Sequence, residues 1–178
     1  MPCLALFVVT ICHAIPQETD SPFHQGTVIS EFGNVAAVES DVAIPDGTVF
    51  KVRFDVGKSA NANSINTTFD SAARFINVNV AAGMPKENVQ IAIVVHGSAA
   101  LDVTVQEFYG AKNEGRNNAS EEAVVTLMKH NVKFFLCGQS AAYQGITKSD
   151  LLDGVKVAPS AMTMHALLHK QGYSLNPF

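Results

Sequence analysis

Hydrophobic and polar residues alternate with a period of two in several short stretches of the chain, and this pattern predicts β-strands. Residues 48–56 alternate and are rich in β-branched and aromatic side chains. Residues 89–95 and 132–136 are apolar on both sets of alternating positions, which is typical of a strand buried on both faces of a parallel sheet. Two shorter strands are expected at residues 155–158 and 173–175. The pattern therefore predicts five strands from residue 48 onward.

Between these strands, apolar residues recur three and four positions apart, which predicts helices. The first helix shows this spacing over residues 69–80 and is closed by Gly83. A second helix is expected after Asn118, and the last begins at a Ser160 cap and stops at Gly172. Strands and helices thus alternate along the chain. We therefore expect an α/β protein with three α/β/α layers and a mostly parallel, five-stranded sheet.

The residues before the first predicted strand follow neither period. Pro and Gly interrupt residues 15–47, so we expect an extended arm with one short strand near residues 34–38. This arm either packs outside the sheet or is disordered. The chain has a formal net charge of −4, and residues 1–50 contain six acids but no Lys or Arg. Such a shift in composition often separates a tail from a packed domain.

The first residues are typical of an export signal. Residues 4–11 form a short, mostly apolar run, and Ala14 follows as a small residue at a suitable cleavage position. No Lys or Arg precedes the run, and a buried N-terminal strand or helix is the alternative interpretation. We expect an exported, periplasmic protein. In this interpretation the chain consists of a signal peptide (1–14), an acidic arm (15–47) and an α/β domain (48–178).

The overall composition agrees with a single globular domain. Of the 178 residues, 47% are hydrophobic and 16% are charged, which excludes a disordered chain and a coiled coil. No apolar run reaches the ~20 residues that a membrane-spanning helix needs. The negative net charge argues against nucleic acid as a partner. The glycine-rich motifs of dinucleotide and P-loop binding are absent from the sequence, so we expect no cofactor.

Cys137 is the first candidate for chemistry, because it follows directly on a predicted buried strand. Ligands of open α/β sheets bind at the carboxyl ends of strands. A helix beginning here would direct its free N–H groups at the sulfur and favour the thiolate. If the signal is removed, Cys137 is the one remaining thiol. The alternative is a small apolar side chain that closes a strand. The residues that would line a substrate site here are Gly138, Gln139 and Ser140.

His96 occupies the same kind of position at the end of another predicted strand, where Gly97 and Ser98 follow it. If the two strands are neighbours, His96 and Cys137 converge on one cleft. An imidazolium there lowers the pKa of a thiol, and a neutral ring can accept its proton. The alternative is a histidine that is hydrogen-bonded to a nearby backbone carbonyl.

A polar segment at residues 104–118 supplies three further candidates: Tyr109, Lys112 and Arg116. Long loops in compact domains often have a function, and these side chains are expected to close over an anionic or sulfur-bearing substrate. The alternative is a solvated loop.

Two histidines, His165 and His169, lie four residues apart on the last predicted helix. This spacing can chelate zinc or copper. The sequence shows no third ligand, and a polar helix face is the alternative interpretation. We therefore predict no metal site.

Several motifs in the second half of the chain resemble those of one protein family. Cys-Gly-Gln-Ser at residues 137–140, Ser-Ala-Met-Thr at residues 160–163 and the Gly-Tyr pair at residues 172–173 are similar to the C-terminal half of DsrE/DsrF-like proteins, in particular their exported branch. The resemblance covers residues 49–178. It implies a flavodoxin-like layered sheet and a homo-oligomer, often a trimer or hexamer. In the sulfur-relay members a cysteine carries persulfide sulfur between proteins, and by motif that role falls to Cys137.

Two functions remain open at this point. The first is a persulfide carrier with sulfurtransferase-like activity at Cys137, assisted by His96. Its partner would be a sulfur donor or acceptor protein or a small sulfur species. The second is a non-catalytic oligomeric module that binds a small anion or a partner peptide in the same cleft. Both use the same strand ends, so the sequence leaves both open.

Overall fold

Seven strands and five α-helices lie within residues 21–178, the part of the chain that the structure, a computed structural model, describes. The strands are β1 (Phe23–His24), β2 (Val35–Ala36), β3 (Phe50–Val56), β4 (Val89–Val95), β5 (Lys133–Cys137), β6 (Lys156–Ala158) and β7 (Ser174–Asn176). The helices are α1 (Thr67–Ala81), α2 (Gln106–Lys112), α3 (Glu121–Lys129), α4 (Gly138–Gln144) and α5 (Ala161–Lys170). None of these helices is long and apolar enough to cross a membrane. The predicted signal peptide lies outside the described residues.

The five strands expected from the hydrophobic pattern form one sheet, and this confirms the predicted fold class. Their order is β6-β5-β4-β3-β7, and all neighbours are parallel. β4 lies at the centre because it is apolar on both faces, and it pairs with β3 along its whole length. Counted within this sheet alone, the order is 4-3-2-1-5, which differs from the 2-1-3-4-5 order of flavodoxin. The protein therefore shares the α/β/α layers of flavodoxin but not its strand order.

Helices cover both faces of the sheet. On one face, which α1 and α3 cover, the ring of Phe69 meets that of Phe134 edge to face at a centroid distance of 5.4 Å. α5 covers the other face and buries Met164 and Leu168. Its Ser160 cap accepts a hydrogen bond from the Thr163 N–H at 3.0 Å, as expected from the sequence. The three predicted layers are thus confirmed.

The described part of the arm, residues 21–47, packs on α1. β1 and β2 form a small antiparallel hairpin, and Ile29 and Phe32 belong to the main hydrophobic core. Asn77 of α1 is fully buried and hydrogen-bonds to the backbone of the arm. These residues of the arm are therefore packed against the domain, which was the first of the two alternatives.

One prediction was wrong, because residues 104–118 contain α2 and are not a structureless loop. Val105, Phe108 and Tyr109 lie three and four residues apart, so they form one apolar helix face. Val105 and Phe108 pack against the main core. The helix is only seven residues long, and the polar residues on both sides of it obscure so short a pattern.

A buried carboxylate, Asp102, supports the loop between β3 and α1. Its Oδ2 accepts hydrogen bonds from the Ala60 N–H at 2.8 Å and from Asn66 Nδ2 at 2.7 Å. Within the described residues, its Oδ1 is buried without a hydrogen-bond partner. Burial raises the pKa of Asp102, and the hydrogen bonds from Asn66 and Ala60 offset only part of this effect.

We expect Asp102 to lower the stability of the protein as the pH rises. A carboxyl group whose pKa is raised in the folded state binds its proton more tightly there than in the unfolded chain. Its contribution to the free energy of unfolding therefore falls as the pH rises above 3.8 and through the folded pKa. Asp102→Asn removes this titration and should flatten the pH dependence of the free energy of unfolding, measured by urea denaturation at a series of pH values.

The exposed carboxylate of Asp153 offers a matched control for this experiment. Asp153→Asn should leave the pH dependence unchanged, because it replaces the same side chain at an exposed position and removes no buried carboxylate. An Asp102→Asn protein that retains the wild-type slope would contradict the expectation.

Candidate functional site

The carboxyl ends of β3, β4 and β5 bring three candidate side chains to one edge of the sheet. The register pairs Val95 with Leu136, so the next residues, His96 and Cys137, follow side by side. Residues on these strands alternate between the two faces. Since Ala92 and Val94 belong to the cluster under α5, His96, Cys137 and Asp55 of β3 lie on that same face. The predicted neighbourhood of β4 and β5 is therefore confirmed.

Cys137 is both the last residue of β5 and the N-cap of α4, so the strand passes directly into the helix. The residue is only 6% exposed. Gly138 permits this turn, because a Cβ at its position would lie 2.8 Å from the carbonyl oxygen of Ala158. The tight turn brings the first N–H groups of α4 towards the sulfur, as the sequence predicted.

The groups around the sulfur lower the pKa of Cys137. Burial alone raises the pKa of this thiol, since a thiolate is poorly solvated in an apolar environment. The backbone N–H and the hydroxyl of Ser140 oppose burial by hydrogen bonding, and the N–H groups of Ala161 and Gln139 add to them. The net pKa is lowered. The beginnings of α4 and α5 thus both stabilise the thiolate.

Ser140 connects Cys137 to the end of β4. Its hydroxyl oxygen accepts the Gly97 N–H at 2.9 Å, so its own hydrogen remains available for the sulfur. Gly97 has a φ of +56°, and a Cβ there would lie 2.7 Å from the Gly57 carbonyl oxygen. Only glycine fits this position without strain, and the orientation of the Gly97 amide therefore depends on it.

His96 contacts a carboxylate on the neighbouring strand. Its Nε2 lies 3.0 Å from Asp55 Oδ1, and Nε2 of His165 on α5 lies 2.8 Å from the same oxygen. The Nε of Arg53 donates to His165 Nδ1 at 3.2 Å. Burial raises the pKa of Asp55, but hydrogen bonds from His165 and His96 lower it more, and the net pKa is lowered. Four side chains thus form one connected polar cluster beside Cys137.

The remaining predicted residues divide between this edge and other parts of the molecule. Ser98 accepts the Ser59 N–H at 3.0 Å and so supports the loop after β3. Gln139 Nε2 donates to the Pro159 carbonyl oxygen at 3.3 Å, which ties α4 to the segment before α5. Gln139 therefore shapes the surroundings of Cys137, whereas Ser98 stabilises the loop after β3.

The three side chains predicted to close over a substrate lie on α2 and in the turn after it. Tyr109 is buried in α2, and burial, followed by the charge of Asp102, raises its pKa. Lys112 lies over the ring of Phe108 at 5.3 Å from its centroid. Arg116 is in an exposed ion pair with a neighbouring acid, 3.1 Å away. Their proposed role as a closing loop stays a prediction.

Sequence reasoning missed Asp55, Arg53 and the role of His165. A partial signal for Asp55 existed, because β3, like β5, ends just before a glycine. His165 lies next to Met164 and one turn from Ala161 and Leu168, so the helical spacing assigns it to the inner face. His169 is exposed. Within residues 21–178, no group of three or more His, Cys, Asp or Glu side chains could hold a metal ion.

Comparison with known proteins agrees with this fold. A family profile described as the DsrE/DsrF-like family matches residues 51–177. The structure is similar to that of MTH1491, a protein of unknown function from Methanobacterium thermoautotrophicum, with a TM-score of 0.51 and 20% identity over 72% of this chain and 99% of that chain. It is also similar to the ychN protein from E. coli, with a TM-score of 0.53 and 15% identity over 73% of this chain and 100% of that one. No curated protein matches the sequence.

Proposed function

The chain belongs to the DsrE/DsrF-like family, and on this basis we propose that it handles sulfur and carries it as a persulfide on Cys137. The observation that carries the proposal is the environment of this thiol. It ends a central strand, it is nearly buried, and the amides of two helices and the Ser140 hydroxyl lower its pKa. A thiolate is the form of cysteine that attacks sulfur.

The reaction is a transfer of one sulfur atom between thiols. The Cys137 thiolate attacks the outer sulfur of a persulfide, and a new S–S bond forms while the bond to the donor's inner sulfur breaks. The donor leaves as a thiolate with the electron pair of the broken bond and takes up a proton. Cys137 then carries the persulfide, and no external oxidant or reductant is needed. The same step in reverse delivers the sulfur to an acceptor.

A protein partner and self-association are part of the proposal. Tyr143 on α4 is 89% exposed and Met162 on α5 is 80% exposed, although both belong to the helices whose first N–H groups stabilise the Cys137 thiolate. Exposed apolar side chains near a reactive group offer a surface on which another chain can dock. We propose a homo-oligomer, a trimer or a hexamer, that works in an exported location. Light scattering of the purified protein measures its mass, and a monomer at tens of micromolar would exclude the oligomer.

The central test is whether sulfur appears on Cys137. The full chain is incubated with glutathione persulfide, trapped with an alkylating reagent and digested, and mass spectrometry then assigns the extra sulfur to a peptide. We expect it on the peptide that contains Cys137. Cys137→Ser should lose the label, whereas Ser149→Ala, at an exposed serine, should keep it.

The opposite result favours the alternative function. If Cys137 gains no sulfur from glutathione persulfide while it reacts readily with iodoacetamide, the thiol is accessible but the carrier proposal fails. The protein is then better described as a binding module that uses the same edge of the sheet.

A further inference from the structure

The polar cluster consists of Asp55, His96, His165 and Arg53. It is separate from the amides and the Ser140 hydroxyl that stabilise the Cys137 thiolate. We propose that Asp55 is a positioning residue, which holds His96 in the tautomer that moves a proton during sulfur transfer. The inference rests on the proposed persulfide chemistry of Cys137. It adds a function to Asp55, and to His165 and Arg53 behind it.

The hydrogen bonds determine which nitrogen of each ring carries hydrogen. Arg53 can only donate, so His165 must accept its N–H at Nδ1. The Nε2 of His165 therefore carries the hydrogen and donates to Asp55 Oδ1. This oxygen lies 3.0 Å from His96 Nε2, and a carboxylate can only accept. His96 consequently also bears its hydrogen on Nε2, which leaves the lone pair of Nδ1 free.

Hydrogen bonds from residues on β3 and α5 fix the position of Asp55 in the cluster. Arg53 lies on β3, two residues before Asp55, and it also donates to the backbone carbonyl oxygen of Tyr173. His165 lies on α5, so its hydrogen bond to Asp55 joins this helix to the sheet. Asp55 is therefore fixed from one side and can orient His96 on the other.

The ring of His96 also has a defined place. It packs against the backbone at Gly57, where a Cβ would lie 2.6 Å from His96 Cε1. The His96 side chain is 34% exposed, and its Nδ1 is neither hydrogen-bonded nor among the buried unpartnered atoms of the described residues. The register continues from Val95 and Leu136 to His96 and Cys137, on neighbouring strands about 4.8 Å apart.

This arrangement gives a route for the proton in each transfer. His96 Nδ1 takes the proton of the Cys137 thiol through one intervening water and becomes an imidazolium, which the Asp55 carboxylate stabilises. The thiolate attacks the outer sulfur of the donor persulfide. The departing thiolate then takes the proton from His96 Nδ1. The products are the Cys137 persulfide and a free thiol, and His96 returns to its starting tautomer.

The test measures the rate of sulfur transfer from glutathione persulfide to Cys137 in the full chain. Asp55→Ala should lower the single-turnover rate constant at saturating donor by about a hundredfold, the lower limit of general acid–base effects, with little change in the donor concentration that gives half of the maximal rate. Asp55→Asn keeps an acceptor oxygen and should recover part of the rate. The exposed Asp153 provides the control, since Asp153→Asn should have no effect. Urea denaturation confirms that each variant is folded.

A double-mutant cycle separates positioning from a general structural effect. If Asp55 acts through His96, Asp55→Ala should cost nothing further in a His96→Gln background, because the coupled pair is already broken. Nitrogen-15 NMR of the histidine rings provides an independent readout. We expect hydrogen on Nε2 of His96 in the wild type and a mixture of tautomers in Asp55→Ala.

The outcomes distinguish this inference from the proposed function. If Cys137 accepts sulfur but Asp55→Ala leaves the rate and the His96 tautomer unchanged, the inference is wrong and the carrier function stands. If the effects of Asp55→Ala and His96→Gln simply add, Asp55 does not act through His96. If the wild type accepts no sulfur on Cys137, the proposed function itself fails, and the NMR tautomer alone then decides whether Asp55 orients His96.

Discussion

Replacing Asn77 with alanine should lower the free energy of unfolding by roughly 3–5 kcal/mol, because each buried polar group left without a partner costs about 1–3 kcal/mol. Asn77 is fully buried within α1. Its Nδ2 donates to the carbonyl oxygens of Ile29 at 2.8 Å and Gly33 at 3.0 Å. Its Oδ1 accepts the N–H groups of Ile29 at 3.0 Å and Val28 at 3.3 Å. One side chain thus replaces the backbone partners that this part of the arm lacks.

Urea denaturation of the two proteins measures this loss. Asn79→Ala is the matched control, because Asn79 lies on the same helix and its Nδ2 donates only to the Phe75 carbonyl oxygen one turn earlier. We expect the control to lose far less stability than Asn77→Ala. Faster proteolysis between residues 21 and 47 in Asn77→Ala alone would show that the arm has detached. Equal losses for the two variants would overturn the expectation.

The elements that could be predicted are those whose buried positions recur at a regular spacing, because hydrophobic residues then recur at the same spacing in the sequence. β4 was expected at residues 89–95 and spans Val89–Val95, because a strand covered on both faces is apolar throughout. The β1–β2 hairpin has only two residues on each strand, too few to show alternation. Asn77 was unpredictable for a different reason, since a polar residue within an apolar helix face does not reveal the distant backbone that it binds.

The candidate site shows the same division. The expected strand ends did bring His96 and Cys137 to one edge, because register and alternation determine where residues at the ends of neighbouring parallel strands lie. The partner of His96 could not be inferred in this way. In the sequence, Asp55 looks like an ordinary exposed residue of an alternating strand. Its role in the polar cluster depends on a hydrogen bond with His165, which is more than one hundred residues away in the chain. The pattern of hydrophobic and polar residues predicts which residues are buried. It does not predict hydrogen-bond partners, because these come from distant parts of the chain that meet only in the folded structure.

Replacing Ser140 with alanine should make Cys137 about tenfold less reactive near neutral pH, because a hydrogen bond to a charged group contributes roughly 1.5–3 kcal/mol and a tenfold change in thiolate population corresponds to about 1.4 kcal/mol. The backbone N–H of residue 140 remains, but the hydroxyl that lowers the pKa of Cys137 is lost. The Gly97 N–H also loses its acceptor. The pKa of Cys137 should therefore rise.

The pH dependence of iodoacetamide labelling at Cys137 tests this expectation, because only the thiolate reacts. The midpoint of the rate profile should move to higher pH in Ser140→Ala. Well above both pKa values the two rates should converge, or the variant should react slightly faster, since a more basic thiolate is a better nucleophile. Ser140→Thr retains a hydroxyl and should restore the lower midpoint, and Ser149→Ala, at an exposed serine on another turn, should not shift it. An unchanged midpoint in Ser140→Ala would mean that the amides of α4 and α5 alone set the pKa of Cys137.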